Sequence, residues 1–285
     1  MRPTGHRTRF RPTTNGPLHI GGGYVAYQCW RAARSLGGQF VLIEDDIVVR
    51  HQKGAQNVDR DKFDAELSAI AEGHLEDLEW LGIAPDEWHW ASEFADAHDA
   101  AAERLGIPSG RSDVPQLLRY VYSVDGTPGT AAYHPWLTVG RVSDDHELGV
   151  TAIVRGADLI SEIELYDHIA KSLYGEAYSV RQNYLPLVLM PDGAAKLSKS
   201  IRSPEGTIAF VREIGMDPVM LRSMFGRIGC APPGDAGYGY EPWQTSQVWF
   251  GTSAHRYIEM PKDVAAEYLR LRNAVAEREA EEALA

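Results

Sequence analysis

The sequence predicts an α/β fold on a parallel sheet, and three observations point to it. A glycine-rich turn at 21–23 joins a strand-like stretch to a helix. Continuous apolar runs recur at 39–43 (QFVLI), 150–154 (VTAIV) and 184–190 (YLPLVLM). Segments of helical period separate them. Strands that read apolar throughout belong to a parallel sheet covered on both faces.

Taken in order, residues 7–11 (RTRFR) form a short strand, and a Pro/Thr/Asn/Gly turn follows at 12–17. Beyond His19, Tyr24, Val25, Gln28, Cys29, Ala32, Ala33 and Leu36 make a helical face, which Gly37 and Gly38 end. The strand at 39–43 completes one strand–turn–helix–strand half of a Rossmann-type unit. A long helix is expected over 61–81, with Phe63, Leu67, Ile70, His74, Leu78 and Leu81 spaced three or four apart. A shorter one is expected at 91–106. From 107 to 145, Gly and Pro punctuate a poor pattern, and the segment reads as an insertion that splits the sheet. Strand 150–154, a helix over 161–174 and the strand 184–190 follow. After Ser200 the period is helical in TIAFVREIG and DPVMLRSMFGRIG, and a loop at 231–243 leads to a charged terminal helix at 262–284. The expected domains are 1–95 and 146–200 as the two catalytic halves, 96–145 as a short connective insertion, and 201–285 as a helical segment.

Composition narrows the function. The chain has 285 residues, 44% hydrophobic and 24% charged, as is ordinary for a globular protein. No apolar run reaches the roughly 18 to 20 residues of a membrane span. The N-terminus lacks the apolar core of a secretory signal, so the expected location is cytoplasmic. Two cysteines, Cys29 and Cys230, supply neither a disulfide framework nor a Cys-rich zinc site, and no zinc or other structural metal is expected. A net charge of −12 argues against broad nucleic-acid binding, which rests on phosphate neutralisation. It leaves room for a local basic patch.

Two motifs carry chemistry. His19-Ile20-Gly21-Gly22 opens a helix, where a ring donor and unpaired backbone N–H groups point at an anion. Gly21 and Gly22 let a purine or phosphate approach the backbone. A glycine-rich turn with a surface histidine would look the same. Lys196-Leu197-Ser198-Lys199-Ser200 lies in a loop after an apolar strand, where two ammonium groups can close over departing pyrophosphate; a solvated Lys/Ser loop is the plainer reading. Together, in this order, the two suit activation of a carboxylate by ATP. The carboxylate is already ionised at neutral pH, so catalysis is alignment and charge stabilisation. Glu44, at the end of the second strand, can hold an ammonium group. Arg155 can fork onto a carboxylate, and Asp158 can accept from ribose hydroxyls. Either carboxylate also fits as a helix cap or surface group.

With these residues in place, RFRPTTNGPLHIGG resembles the first motif of glutamyl-tRNA synthetases, RFAPSPTGxLHxGG. FVLIEDD, EWLGI, VTAIVRGADL and LPLVLMPDGAAKLSKS keep that family's order over roughly 7–90 and 135–230. The resemblance implies a class I catalytic core using ATP, Mg²⁺ and an acidic, glutamate-like amino acid. It implies that Arg9, Glu44 and Arg155 surround the amino acid, with Leu137 at the position of a family tyrosine. It places Thr13, His19, Gly21, Gly22, Asp158 and the Lys196, Leu197, Ser198 and Lys199 loop around ATP, with His19, Lys196 and Lys199 catalytic. The sequence departs from the family at Leu42, usually Arg, and at Ile47, usually Asp. It resembles the truncated glutamyl-queuosine tRNA synthetases, so no anticodon-binding domain is expected. Transfer to a tRNA is the implied second step. A carrier protein or small amine as acceptor stays open, as does a catalytically idle regulatory paralogue.

Overall fold

The computed structural model describes residues 5–54, 59–107, 135–189, 191, 204–228 and 257–284. Arg7–Phe10 (β1) is the central strand of a five-stranded sheet. It pairs in parallel with Gln39–Glu44 (β2) on one side and Ala152–Gly156 (β4) on the other. Glu87–Trp90 (β3) extends the sheet beyond β2, and Arg181–Leu185 (β5) extends it beyond β4. The order β3-β2-β1-β4-β5, all parallel, is that of a Rossmann-type sheet.

Alternation along the strands sends side chains to two cores, as the period of two requires. Phe40, Leu42, Ala152 and Val154 join one apolar cluster, whereas Val41, Ile43 and Ile153 join the other. The first cluster is closed by Ile20–Ser35 (α1), Ile208–Glu213 (α7), Pro218–Ile228 (α8) and Lys262–Leu284 (α9). The second is closed by Ala95–Arg104 (α4), Pro135–Glu147 (α5) and Ile163–Tyr174 (α6). Helices on both faces explain why the strands read as continuous apolar runs. Ile47–Gly54 (α2) and Arg60–Trp80 (α3) complete the first half. Asp59 caps α3, accepting from the N–H groups of Asp61 and Lys62. After α1 the chain turns through Gly37 at φ +62°, a left-handed conformation that glycine adopts without strain.

Two expectations need correction. The run 184–190 is not one strand. Pro186 has no N–H for the ladder, so β5 ends at Leu185. Leu187–Leu189 (β6) leaves the large sheet and pairs in parallel with Tyr257–Glu259 (β7). The poor pattern at 107–145 also hides α5, which begins at Pro135. Thr138, Ser143, Asp144 and Asp145 on that helix are buried, so its inward face carries no clean apolar stripe.

Candidate active site

The strand order reverses at β1, with β2 on one side and β4 on the other, and a crevice opens beyond the carboxyl ends of these strands. A cavity of about 390 Å³ lies there. The turn after β1 is stitched to the end of β2, the Asp45 N–H donating to the Pro12 carbonyl at 2.9 Å and the Thr14 N–H to the Asp45 carbonyl at 3.2 Å. This holds Thr13 in the cavity wall and leads the chain to His19.

His19 is the N-cap of α1. Its Nδ1 accepts from the Gly22 N–H at 2.9 Å. A neutral ring bonded this way keeps its hydrogen on Nε2, as a donor. Burial, with His74 nearby, pushes its pKa down to about 4, so the ring is neutral at physiological pH. His19, Gly21 and Gly22 all line the cavity. On β4, Gly156 lies against Asp158, whose Oδ1 is 2.5 Å from where a Cβ would sit, so a side chain there would collide with a wall residue.

Four arginines line the cavity: Arg9, Arg11, Arg141 and Arg155. Arg9 forks onto Asp145 at 2.7 and 3.0 Å, and the Tyr166 hydroxyl donates to the same carboxylate at 2.8 Å. Burial alone would raise the Asp145 pKa; Arg9 outweighs it and holds the carboxyl below its usual range. Arg11 bridges Asp45, at 3.0 Å, and Asp144. His98 lies 2.5 Å from Asp144 on the far side. Arg141 donates to Glu162 at 2.8 Å.

Arg155 differs from the other three. It is buried, its nearest carboxylate among the described residues is Glu162 at 3.6 Å, and neither Nη1 nor Nη2 has a hydrogen-bond partner among those residues. It stacks over the Tyr166 ring at 5.0 Å. Burial first, then the charge of Arg9, lowers its pKa. A buried cation paired only loosely in this way favours an anion.

Of the residues expected from the sequence, Arg9, Thr13, His19, Gly21, Gly22, Arg155 and Asp158 come together in this wall. Glu44 lies behind it, fully buried. Leu137 is a correction: it packs into the apolar cluster of Val41, Ile43 and Ile153 and does not line the cavity. A leucine at a core-facing position of α5 gains more from that apolar contact than from a polar cavity. Lys196, Leu197, Ser198 and Lys199 lie outside the described residues.

The wall also holds Arg11, Asp45, His74 and Arg141, to which sequence reasoning gave no role. Arg11 had a signal. A central strand with Arg at 7, 9 and 11 must bury some of those charges and therefore find carboxylates for them. His74 was legible only as a member of a helical face. Its Nδ1 lies 3.0 Å from both oxygens of Glu44, and its Nε2 is 2.8 Å from the Gly16 carbonyl.

Comparison with known proteins agrees with this architecture. The family model for tRNA synthetases class I (E and Q), catalytic domain, matches residues 6–111. The chain is 28% identical to the glutamate–tRNA ligase of Stenotrophomonas maltophilia (strain R551-3), over 78% of this chain and 57% of that one. It therefore spans little more than half the length of this curated relative. Among solved structures, the glutamate-tRNA synthetase from Elizabethkingia anophelis superposes with a TM-score of 0.60 at 18% identity, covering 93% of this chain and 70% of that one. A glutamate tRNA ligase from Elizabethkingia meningosepticum, in complex with its amino acid, gives 0.57 at 18% identity, with coverages of 93% and 69%. A parallel sheet of this order, a cavity at its switch point and a histidine-capped helix beside it agree with the sequence match: over residues 6–111 the chain is similar to the catalytic domain of class I (E and Q) tRNA synthetases.

Proposed function

We propose that this chain activates an acidic amino acid with ATP, forming an aminoacyl adenylate and releasing pyrophosphate. The observation that carries this reading is the convergence of the α1 N-terminus, capped by His19, with the loosely paired Arg155 in one cavity. One feature suits a phosphate and the other a carboxylate.

In the reaction, a carboxylate oxygen of the amino acid forms a bond to the α-phosphorus. The bond from that phosphorus to the bridging oxygen breaks, and pyrophosphate leaves with the electron pair. No proton need move, so the protein's work is alignment and charge stabilisation. His19 donates Nε2–H to a phosphate oxygen, and the free N–H groups of the first turn of α1 face the same charge. Asp158 accepts from the ribose hydroxyls and Thr13 borders the nucleotide. Arg155 takes a carboxylate of the amino acid. Lys196 and Lys199 neutralise the leaving pyrophosphate, with Leu197 and Ser198 beside them in the sequence. Mg²⁺ would enter with ATP and neutralise phosphate charge.

Domain organisation and acceptor belong to the same proposal. The halves 1–95 and 146–200 form the catalytic unit, with 96–145 inserted and 201–285 appended. The relatives bearing the name glutamate–tRNA ligase support tRNA as acceptor. The net charge of −12 supports a smaller acceptor, a carrier protein or an amine. The reading places the reaction in the cytoplasm. Among the described residues, no helix is long and apolar enough to cross a membrane.

ATP–pyrophosphate exchange across a panel of amino acids, with and without total tRNA, tests the proposal. Exchange with glutamate or a close relative is the expected result. Exchange that needs tRNA identifies the acceptor, and exchange without it directs the search to other acceptors. Silence under both conditions refutes activation and leaves a binding or regulatory role.

A further inference from the structure

The segment from β7 through α9 lies against the cavity wall at two places. β7 pairs in parallel with β6, whose Leu187 and Val188 line the cavity. α9 follows, and Met260, Val264 and Tyr268, four residues apart, are buried in the apolar cluster that α1 helps to close. Tyr268 is fully buried, where a phenylalanine would gain the same apolar contact. A buried hydroxyl is costly unless it is bonded, so where it points is informative. It donates to the Glu205 carbonyl at 3.0 Å. The Arg272 guanidinium lies 5.8 Å from the centre of the Tyr268 ring and 3.6 Å from the Glu205 carboxylate, a second link between α9 and this point.

Glu205 sits in a single turn of 3-10 helix, Pro204–Gly206, and Thr207 follows it. The Thr207 N–H and hydroxyl both donate to the Pro204 carbonyl, at 2.9 and 2.7 Å. Its hydroxyl also accepts from the Phe210 N–H at 3.1 Å, which caps α7. This turn is locked onto the first motif. Thr207 pairs with His19 in an antiparallel bridge, and the Ile208 N–H donates to the Leu18 carbonyl at 2.8 Å. The packing there is close, since a Cβ on Gly23 of α1 would lie 3.0 Å from Cδ1 of Ile208. Gly206 and Thr207 line the cavity together with His19 and Gly22. A continuous path therefore runs from the Tyr268 hydroxyl, through the turn, to the N-terminus of α1. It involves neither Arg9 nor Arg155.

We propose that Tyr268 is a positioning residue for the nucleotide: its hydroxyl fixes the 204–207 turn, which holds His19 and the first turn of α1 at the cavity wall. This rests on the activation reading above and makes ATP affinity depend on α9, an element outside the five-stranded sheet.

Calorimetric titration of the full chain with ATP and with glutamate, each beside a melting curve, tests the assignment. Tyr268→Phe keeps the buried ring and loses only the hydroxyl. It is expected to weaken ATP about three- to tenfold, the effect of one neutral hydrogen bond, and to leave glutamate within about twofold. Thr207→Ala loosens the same turn from inside and is expected to do likewise. Because both substitutions act through one turn, the double variant should bind ATP about as well as the weaker single one. A merely structural role lowers the melting temperature and leaves both ligands binding as before, and that result overturns the proposal. So do equal losses of ATP and glutamate, or effects of the two substitutions that multiply. If Tyr268→Phe folds poorly, Thr207→Ala decides alone, and unchanged ATP affinity in it overturns the assignment. An unaltered chain that binds no ATP overturns the activation reading, and this inference with it.

Discussion

At the scale of single residues, the site is organised by how each buried charge is satisfied. Arg9, Arg11 and Arg141 each donate a hydrogen bond to a carboxylate; among the described residues the terminal nitrogens of Arg155 have no such partner, Glu162 standing off at 3.6 Å. His74 carries the largest consequence for pH. Burial alone would depress its pKa, but Glu44 outweighs burial and raises it above the usual value for histidine. A histidine raised in the fold contributes stability that is complete below its unfolded value, about 6.5. That contribution is lost as pH climbs through the raised value. His74→Gln should therefore melt at lower temperature near pH 6 and lose less stability than the parent as pH rises. A melting series from pH 6 to 9 on both proteins tests this, and parallel curves would rule it out. Near pH 6 the expected cost is about 3 to 5 kcal/mol, as for removing one partner of a buried pair. His19 runs the other way. Held neutral down to about 4, it opposes folding progressively as pH falls from about 6.5 toward that value. Lys199 lies outside the described residues, but its proposed role is equally testable. Lys199→Ala should slow adenylate formation by about two to three orders of magnitude, as loss of one preorganised donor does. A near-normal rate of pyrophosphate exchange would remove it from the mechanism.

At the scale of elements, α1 does double duty. Its N-terminus faces the cavity, and its body packs on α8, where Phe225 sits 5.7 Å from the Tyr24 ring and 5.8 Å from that of Tyr27. Phe225→Ala should cost about 3 to 5 kcal/mol in chemical denaturation, the usual range for an aromatic side chain removed from a core. A loss below about 1 kcal/mol would mean that α8 does not support α1. This scale also shows what was legible from the sequence. The strands β2 and β4 and the helices α1 and α3 announced themselves because apolar contact holds them, and apolar contact leaves a period. Helix α5 did not, because Asp144 and Asp145 occupy core positions that arginines and a histidine on distant elements satisfy. Periodicity cannot register a polar residue whose partner is 136 positions away. The candidate site divides in the same way. His19, its glycines and Arg155 were readable from local motifs. The roles of Asp45 and His74 depend on what surrounds them in space.

At the scale of the whole molecule, charge and order of assembly matter most. With a net charge of −12, a tRNA that binds must do so through a restricted basic surface. If tRNA is the acceptor, its affinity should fall with salt on a shallow logarithmic slope of only a few units, each phosphate contact contributing about 0.9. Filter binding from 50 to 200 mM salt measures this. A steep slope would mean a broad basic face that the composition does not suggest. The central position of β1 has a further consequence, for the folding reaction itself. Of the strands described this one comes first in the chain, yet it gains its second neighbour, β4, only after β2 and β3 have been made. Until then it presents an open hydrogen-bonding edge and an Arg9 that has not met Asp145. Closing so distant a contact makes folding slow, and the stage before β4 arrives is the one most exposed to aggregation and to capture by a chaperone.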